Sequence, residues 1–233
     1  MTLYSLSMTI MAHPKRREHV TKMVRRLGEQ TLVAINRGVP VSDVTVVWDT
    51  ESQGPWWCAR EAWKRASQTV ATHHLVIQDD VVFCADLPEA VLRLVHARPS
   101  SALSLFLPRD SVATAVQKNL RWVATRRFLW AQAVVLPVWM AEWMLRWIDV
   151  REQRNPDWKS HDDVRMADFF TARGGPVYVP VPNLVEHIGD ELGSIMGHYG
   201  SAARRRARAF VGIDSPARDI DWNRLEAVLE WKR

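Results

Sequence analysis

Two adjacent carboxylates, Asp79 and Asp80, close the apolar run Leu75-Val76-Ile77-Gln78, and a second run, Val81-Val82-Phe83-Cys84, carries the chain away. Carboxylates at the end of a buried parallel strand lie where open α/β sheets place their ligands. A pair of acids there can hold a divalent cation, and the cation can hold a diphosphate. The plain alternative is a polar turn between two strands. His13 follows another run of strand character, Leu6 to Ala12, and Asp49 follows a third, Val44 to Trp48. If these strands are neighbours, His13, Asp49, Asp79 and Asp80 converge along one edge, where a nucleotide can lie. The turn after the first strand lacks Gly-x-Gly-x-x-Gly, and the chain has no Walker-type Gly-Lys-Ser/Thr. Neither a dinucleotide fold nor a P-loop enzyme is therefore supported. Ala12-His13-Pro14-Lys15-Arg16 offers a phosphate cations in place of glycine amides.

The elements needed to position these groups are legible in the periodicity. Residues 15–28 place Val20, Met23, Val24 and Leu27 on one helical face, with Gly28 near the end. Gly54-Pro55 opens a second helix, whose stripe is Trp56, Ala59, Trp63, Ala66 and Val70, with Arg60 off it. Residues 6–83 thus alternate strand and helix, which implies parallel strands with right-handed crossovers. Leu87 to Ala97 predicts a helix and Ala102 to Leu107 a strand, whereas 111–127 reads as a hairpin or mobile loop. Ala131 to Leu136 is a strand, 139–148 an amphipathic helix, 151–159 a loop, Ser160 to Ala172 a helix and Val177 to Val181 a strand. Beyond lie an extended loop to Gly200, an arginine-rich helix and an amphipathic stretch from Trp222 to Trp231. No repeat or linker divides the chain, so one domain over 1–233 is the simplest organisation.

With 233 residues, 47% hydrophobic and 24% charged, the chain has the composition of a globular protein with a substantial core. Its 12 Trp far outnumber its 3 Tyr, and some can serve as stacking surfaces for sugars or bases. The net charge of +5, concentrated in part in Arg204-Arg205-Arg206-Ala207-Arg208, points to an anionic partner or to a solvated basic face. Cys58 and Cys84 form neither a disulfide framework nor a zinc site, which fits a reducing, cytoplasmic setting. The most apolar long window, 128–148, contains Gln132, Pro137, Glu142 and Arg146 and is no membrane span.

The order of elements, with an acidic pair after the third strand, resembles the GT-A fold of nucleotide-sugar-dependent glycosyltransferases. That family's Asp-x-Asp motif, which binds metal and donor diphosphate, aligns with Gln78-Asp79-Asp80, where Gln replaces the first Asp. The resemblance implies a single α/β domain with a Rossmann-like, mostly parallel sheet. Its donor half would be 1–110, its acceptor half 111–200, and a basic helical tail would occupy 201–233. It implies Mn²⁺ or Mg²⁺ at Asp80. Ser160-His161-Asp162-Asp163 resembles the family's second acidic motif, which maps the general base onto Asp163 with Asp162 beside it. The same acids equally serve as helix caps and dipole partners. Val185-Glu186-His187-Ile188-Gly189 resembles the loop whose histidine returns to the metal, which makes His187 a ligand and His198 a weaker one. By the family pattern, His13 and Asp49 contact the nucleoside, Arg60 faces the diphosphate and Trp130 stacks on sugar or acceptor.

The implied activity is transfer of a sugar, hexosyl in type, from a nucleotide-diphosphate sugar (a UDP-sugar foremost) to a hydroxyl of DNA, protein or glycan. Two alternatives compete. A sugar-phosphate nucleotidyltransferase uses a similar sheet but usually carries a glycine-rich loop after the first strand, which is missing here. A non-catalytic nucleic-acid-binding module would use Arg204–Arg208 and the basic stretch Arg121–Arg127, leaving the four aspartates without a role.

Overall fold

The computed structural model describes residues 4–158, 160–193 and 205–230. Strand β1 (Leu6–Ala12) is buried along its whole length, as a strand with neighbours on both sides and helices on both faces must be. Parallel partners flank it: β2 (Val41–Trp48) on one side and β3 (His73–Gln78) on the other, with Ile10 opposite both Val46 and Ile77. Pro14 starts a 3-10 turn that runs into α1 (Arg17–Asn36), the first crossover. The second is α2 (Pro55–Lys64), extended by a 3-10 turn to Gln68.

The remaining elements are β4 (Val81–Phe83), α3 (Leu87–Ala97), β5 (Ala102–Ser104), α4 (Asp110–Gln117), β6 (Trp122–Thr125), β7 (Ala133–Pro137), α5 (Val138–Arg154), α6 (Asp162–Arg173), β8 (Val177–Pro180), β9 (Val185–His187), α7 (Gly189–Leu192) and β10 (Ala227–Glu230). Eight strands form one sheet in the order β2-β1-β3-β7-β5-β8-β6-β10. It is an α/β architecture with a mostly parallel sheet flanked by helices. Strands β1, β2, β3, β5 and β8 run one way. The reversal comes at β7, which is antiparallel to both neighbours, and again at β6 and β10.

The period of two along β1 sorts the core into two layers. Leu6, Met8, Ile10 and Ala12 pack on α1 and α3, together with Leu75 and Ile77 of β3. Met11 and Val76 face the other layer, formed by α2, α5 and α6 around Trp63, Met140, Met144 and Phe169. That second face also buries a polar line. Ser7 Oγ lies 2.7 Å from His74 Nδ1, and His74 Nε2 lies 3.1 Å from the Ala62 carbonyl. Burial pushes the His74 imidazole down to about 4, so it packs as a neutral group.

Several elements depart from the sequence reading, each for a local reason. Helix α1 continues through Gly28 to Asn36, because Thr31 and Ala34 extend the buried face of Val20, Met23 and Leu27. The α2 stripe loses its last member: the 3-10 turn changes the period, and Val70 is fully exposed. Only Ala102–Ser104 of the fourth predicted strand pairs in the sheet. Residues 111–127, expected as a hairpin or loop, contain most of α4 and all of β6, and α5 runs three residues past Arg151. The extended segment after Pro182 contains β9 and α7.

The expected basic helical tail is corrected as well. Among the described residues 205–230 there is no helix. The segment lies along the body instead, with Val211 N–H donating to the Asn183 carbonyl at 3.0 Å and Ala217 N–H to Asp86 Oδ1 at 2.7 Å. Trp222 is buried against Trp122, whose indole N–H donates to the Trp222 carbonyl at 3.1 Å. Strand β10 then pairs in parallel with β6 at the sheet edge. No helix among the described residues is long and apolar enough to cross a membrane.

Candidate functional site

Parallel pairing of β1 and β3 in register puts the Ala12–His13 and Gln78–Asp79 chain ends side by side. Asp79 Oδ2 accepts the His13 backbone N–H at 2.6 Å, and Asp79 Oδ1 accepts from Arg16 Nη1 at 2.5 Å. The same Arg16 nitrogen is 3.0 Å from Asp80 Oδ2, which is itself 3.4 Å from His187 Nε2. His187 reaches this point through a two-stranded ribbon in which β4 and β9 pair antiparallel, with Val81 opposite His187. Ile188 N–H donates to the Asp80 carbonyl at 2.8 Å and fixes the ribbon's end. The next residue has to be glycine. A Cβ on Gly189 would stand 2.6 Å from His187 Nε2 and 3.2 Å from Asp80 Oδ2.

Arg16, Asp79 and His187 are buried, so the charges of the cluster act on one another with little screening by water. Burial works against the Arg16 charge, but Asp80 and Asp79 outweigh it and raise the guanidinium pKa further. Burial also works against an ionised Asp80, yet the His187 contact and Arg16 hold its carboxyl below the usual range. At Asp79 the balance falls the other way: burial raises its pKa despite Arg16 and the His13 N–H. Two polar atoms of the cluster, Asp80 Oδ1 and His187 Nδ1, are buried without a hydrogen-bond partner, as is Arg16 Nε. Native interiors rarely leave such atoms unpaired, and an unpaired donor or acceptor marks a place for an absent partner.

The second acidic motif is tied to the first. Gln78 Nε2 donates to Asp162 Oδ2 at 3.0 Å, which joins the end of β3 to the first turn of α6. Gln78 thus has a definite role at the position where the resembling motif carries Asp. Asp162 is buried, and its carboxyl is pushed up to about 6 by burial and by the neighbouring Asp163. Asp163 is half-buried; burial raises its pKa too, against the Val164 N–H that donates to its Oδ1 at 2.7 Å. Behind these groups sits Cys58, its thiol pushed up to about 12 by burial, with Asp49, Asp79 and Asp162 all near enough to add to the shift.

The other predicted site residues are placed less directly. Asp49 is buried and spends its carboxylate on the loop before α2, accepting Gln53 N–H at 2.7 Å and Gly54 N–H at 2.8 Å. The His13 ring caps the 3-10 turn, with Nδ1 accepting Lys15 N–H at 3.2 Å, so its backbone N–H is what enters the cluster. Arg60 pairs with Asp149 of α5 at 2.6 Å rather than with the cluster. Trp130 is half-buried against both the α1/α3 layer and the packing around α4. His198 and Arg204 lie outside the described residues. Of the remaining arginines, Arg206 pairs with Asp190 and Glu191, and Arg208 with Asp110.

Arg16 is the residue whose role the sequence concealed. Its place in the first crossover marks it as a cation near the strand end, but not that it turns onto Asp79 and Asp80. As for a metal, among the described residues no three His, Cys, Asp or Glu side chains gather to hold one. Asp80 and His187 supply two donors, with Asp80 Oδ1 still unused. This set, a carboxylate and an imidazole, suits a divalent cation such as Mn²⁺ that takes its remaining ligands from a phosphate and water. It does not fit a cation caged by protein alone.

No protein-family model matches the chain, and no curated protein matches it.

Proposed function

We propose that the protein is a glycosyltransferase that takes a nucleotide-diphosphate sugar, foremost a UDP-sugar, and passes the sugar to a hydroxyl acceptor. The observation that carries this reading is the Arg16–Asp79–Asp80–His187 cluster at adjoining strand ends, bonded through Gln78 to Asp162. On this reading, the cluster offers a position for metal and diphosphate next to a pair of carboxylates with raised pKa values. One is needed to neutralise a leaving group and the other to take a proton, the two requirements of glycosyl transfer.

Asp80 and His187 would hold Mn²⁺ or Mg²⁺, which when bound supplies positive charge to the departing diphosphate. The His13 N–H and Arg16 fix Asp79, and with it the end of β3 on which the donor rests. Asp163 removes the proton from the acceptor hydroxyl as it attacks the anomeric carbon, and Asp162 positions the start of α6 through Gln78. A carboxylate base on the acceptor side gives inversion at the anomeric centre. NMR assignment of the product anomer tests that point, and net retention would overturn it.

The acceptor is a hydroxyl on DNA, protein or glycan. The arginine segment runs beside the cluster, with Ala207 N–H donating to Glu186 Oε1 at 2.9 Å. Because Arg206 and Arg208 are ion-paired within the chain, a role solely as a nucleic-acid-binding module is the poorer account. The two free, buried thiols accord with a cytoplasmic protein. A thermal-shift screen of nucleotide sugars with and without Mn²⁺ tests the class: one donor should raise Tm in a metal-dependent way. No response to any nucleotide sugar would refute the reading.

A further inference from the structure

We infer that Arg16 is a resident counter-cation that competes with the divalent metal for Asp80, so that metal binds tightly only together with the diphosphate. The inference rests on the donor-site reading above and deepens it. Arg16 Nη1 lies 2.5 Å from Asp79 Oδ1 and 3.0 Å from Asp80 Oδ2, so a single nitrogen spans both carboxylates. Its other terminal nitrogen, Nη2, donates to the Gly193 carbonyl at 3.1 Å, which holds the guanidinium at this spot. Arg16 is buried, and its charge is not dispersed into water.

A cation held by Asp80 Oδ2 and His187 Nε2 would sit against this guanidinium. Two positive centres sharing one carboxylate in a buried site repel strongly, because little solvent screens them. Left alone, the cluster already has its cation. What changes the balance is added negative charge: a diphosphate brings enough for both Arg16 and a metal. Asp80 Oδ1 and His187 Nδ1, buried and without partners, are the atoms that such a rearrangement can use. Arg16 would then keep Asp79 and give up its weaker, longer contact to Asp80. The arrangement makes metal and nucleotide binding mutually dependent, with Arg16 as the residue that sets the coupling.

The test is Mn²⁺ binding to the full chain, followed by calorimetry with and without UDP. Wild type should bind Mn²⁺ at least tenfold more tightly when UDP is present. Arg16→Gln should bind Mn²⁺ alone at least tenfold more tightly than wild type, with the UDP effect reduced. Because Arg16→Gln leaves two buried carboxylates facing each other, the double variant Arg16→Gln/Asp79→Asn, which removes the charges as a pair, serves as the folded comparison. It should show the same gain in affinity for Mn²⁺ alone. Unchanged Mn²⁺ affinity in the folded variant would overturn the role of Arg16, as would equal wild-type affinity with and without UDP while UDP itself binds. Failure of the donor reading looks different: UDP and other nucleoside diphosphates bind neither protein, while the gain for Mn²⁺ alone persists.

Discussion

Asp162 is held up to about 6 against an ordinary carboxyl value of 3.8, and the sign of that shift has consequences for stability. The fold favours the protonated form, so the stabilising contribution is complete below pH 4 and is lost as pH rises through about 6. Asp162→Asn, which cannot ionise, should therefore gain stability over wild type at pH 7.5, by at most about 3 kcal/mol, and little at pH 4. Urea denaturation at the two pH values measures this, and an equal effect at both would refute it. His74 acts in the opposite sense, since its imidazole is pushed down to about 4: its contribution is present above pH 6.5 and lost as pH falls toward 4. On the proposed function, Asp163→Asn should lower kcat by roughly 10²- to 10⁴-fold, the usual worth of a general base, with donor KM little changed. A KM effect without a kcat effect would make Asp163 a binding group. The Asp79-Asp80 pair was legible because residue type and strand-end position together limit what it can do, whereas His187, in a segment that reads as loop, is reached only through the family resemblance. Arg16 was not legible, because the direction of a long side chain depends on the packing of the turn that carries it. Gln78 looked like a lapse in a motif until its amide was found on Asp162.

At the scale of elements, the β4–β9 ribbon determines whether His187 meets Asp80. Gly189→Ala should push the imidazole away, since the new methyl would stand 2.6 Å from Nε2. The expected result is loss of any Mn²⁺-dependent rise in Tm, with the metal-free Tm changed far less. Retention of the full metal response would show that the contact is dispensable. The strands β1 and β3 and the helices α2, α3 and α6 follow from clear periods and caps, and their bounds lie within a few residues of those predicted. Segment 111–127 did not follow. Its two elements are short: α4 buries only Val112 and Ala115, β6 is the four-residue run Trp122–Thr125, and Lys118, Arg121, Arg126 and Arg127 between and after them give the segment the look of a polar loop. Half of the ribbon was legible: Asp79 and Asp80 form a turn between β3 and β4, as the apolar run after them allows. Its partner β9 reads as loop, because a three-residue strand carries too few alternations to register as a pattern.

At the scale of the molecule, the C-terminal segment that reads as a detachable basic tail is part of the body. It supplies Ala217 and Trp222 to the core and β10 to the sheet. Ending the chain before Arg205 should therefore abolish cooperative unfolding rather than only weaken an electrostatic contact; a far- and near-UV melt of the truncated chain decides this. Trp222→Ala is the milder form and should cost about 3–5 kcal/mol, the usual range for emptying a buried aromatic site. The α/β class and the three leading strands were readable in advance because each of the first two crossovers carries a clear apolar stripe, on α1 and on α2. The far half of the sheet depends on pairings between residues distant in sequence, which no local pattern encodes.

The reversal at β7 also bears on how the protein could diversify. A chain leaving the sheet at the functional edge, as after β1 and β3, fixes that edge by its strand. At β7 the chain instead arrives there, with Ala133 opposite Ile77 and the Gln132 carbonyl accepting the Gln78 N–H at 2.8 Å. In the approach from Arg126 to Ala131, Phe128 is buried against Phe170 and Trp130 packs on the core, so the exposed Arg127 and Leu129 are the positions that can vary upstream of a register that β3 and β5 hold on both sides. On the proposed function, substitutions at these two positions offer a way to change acceptor preference while the donor end stays in place.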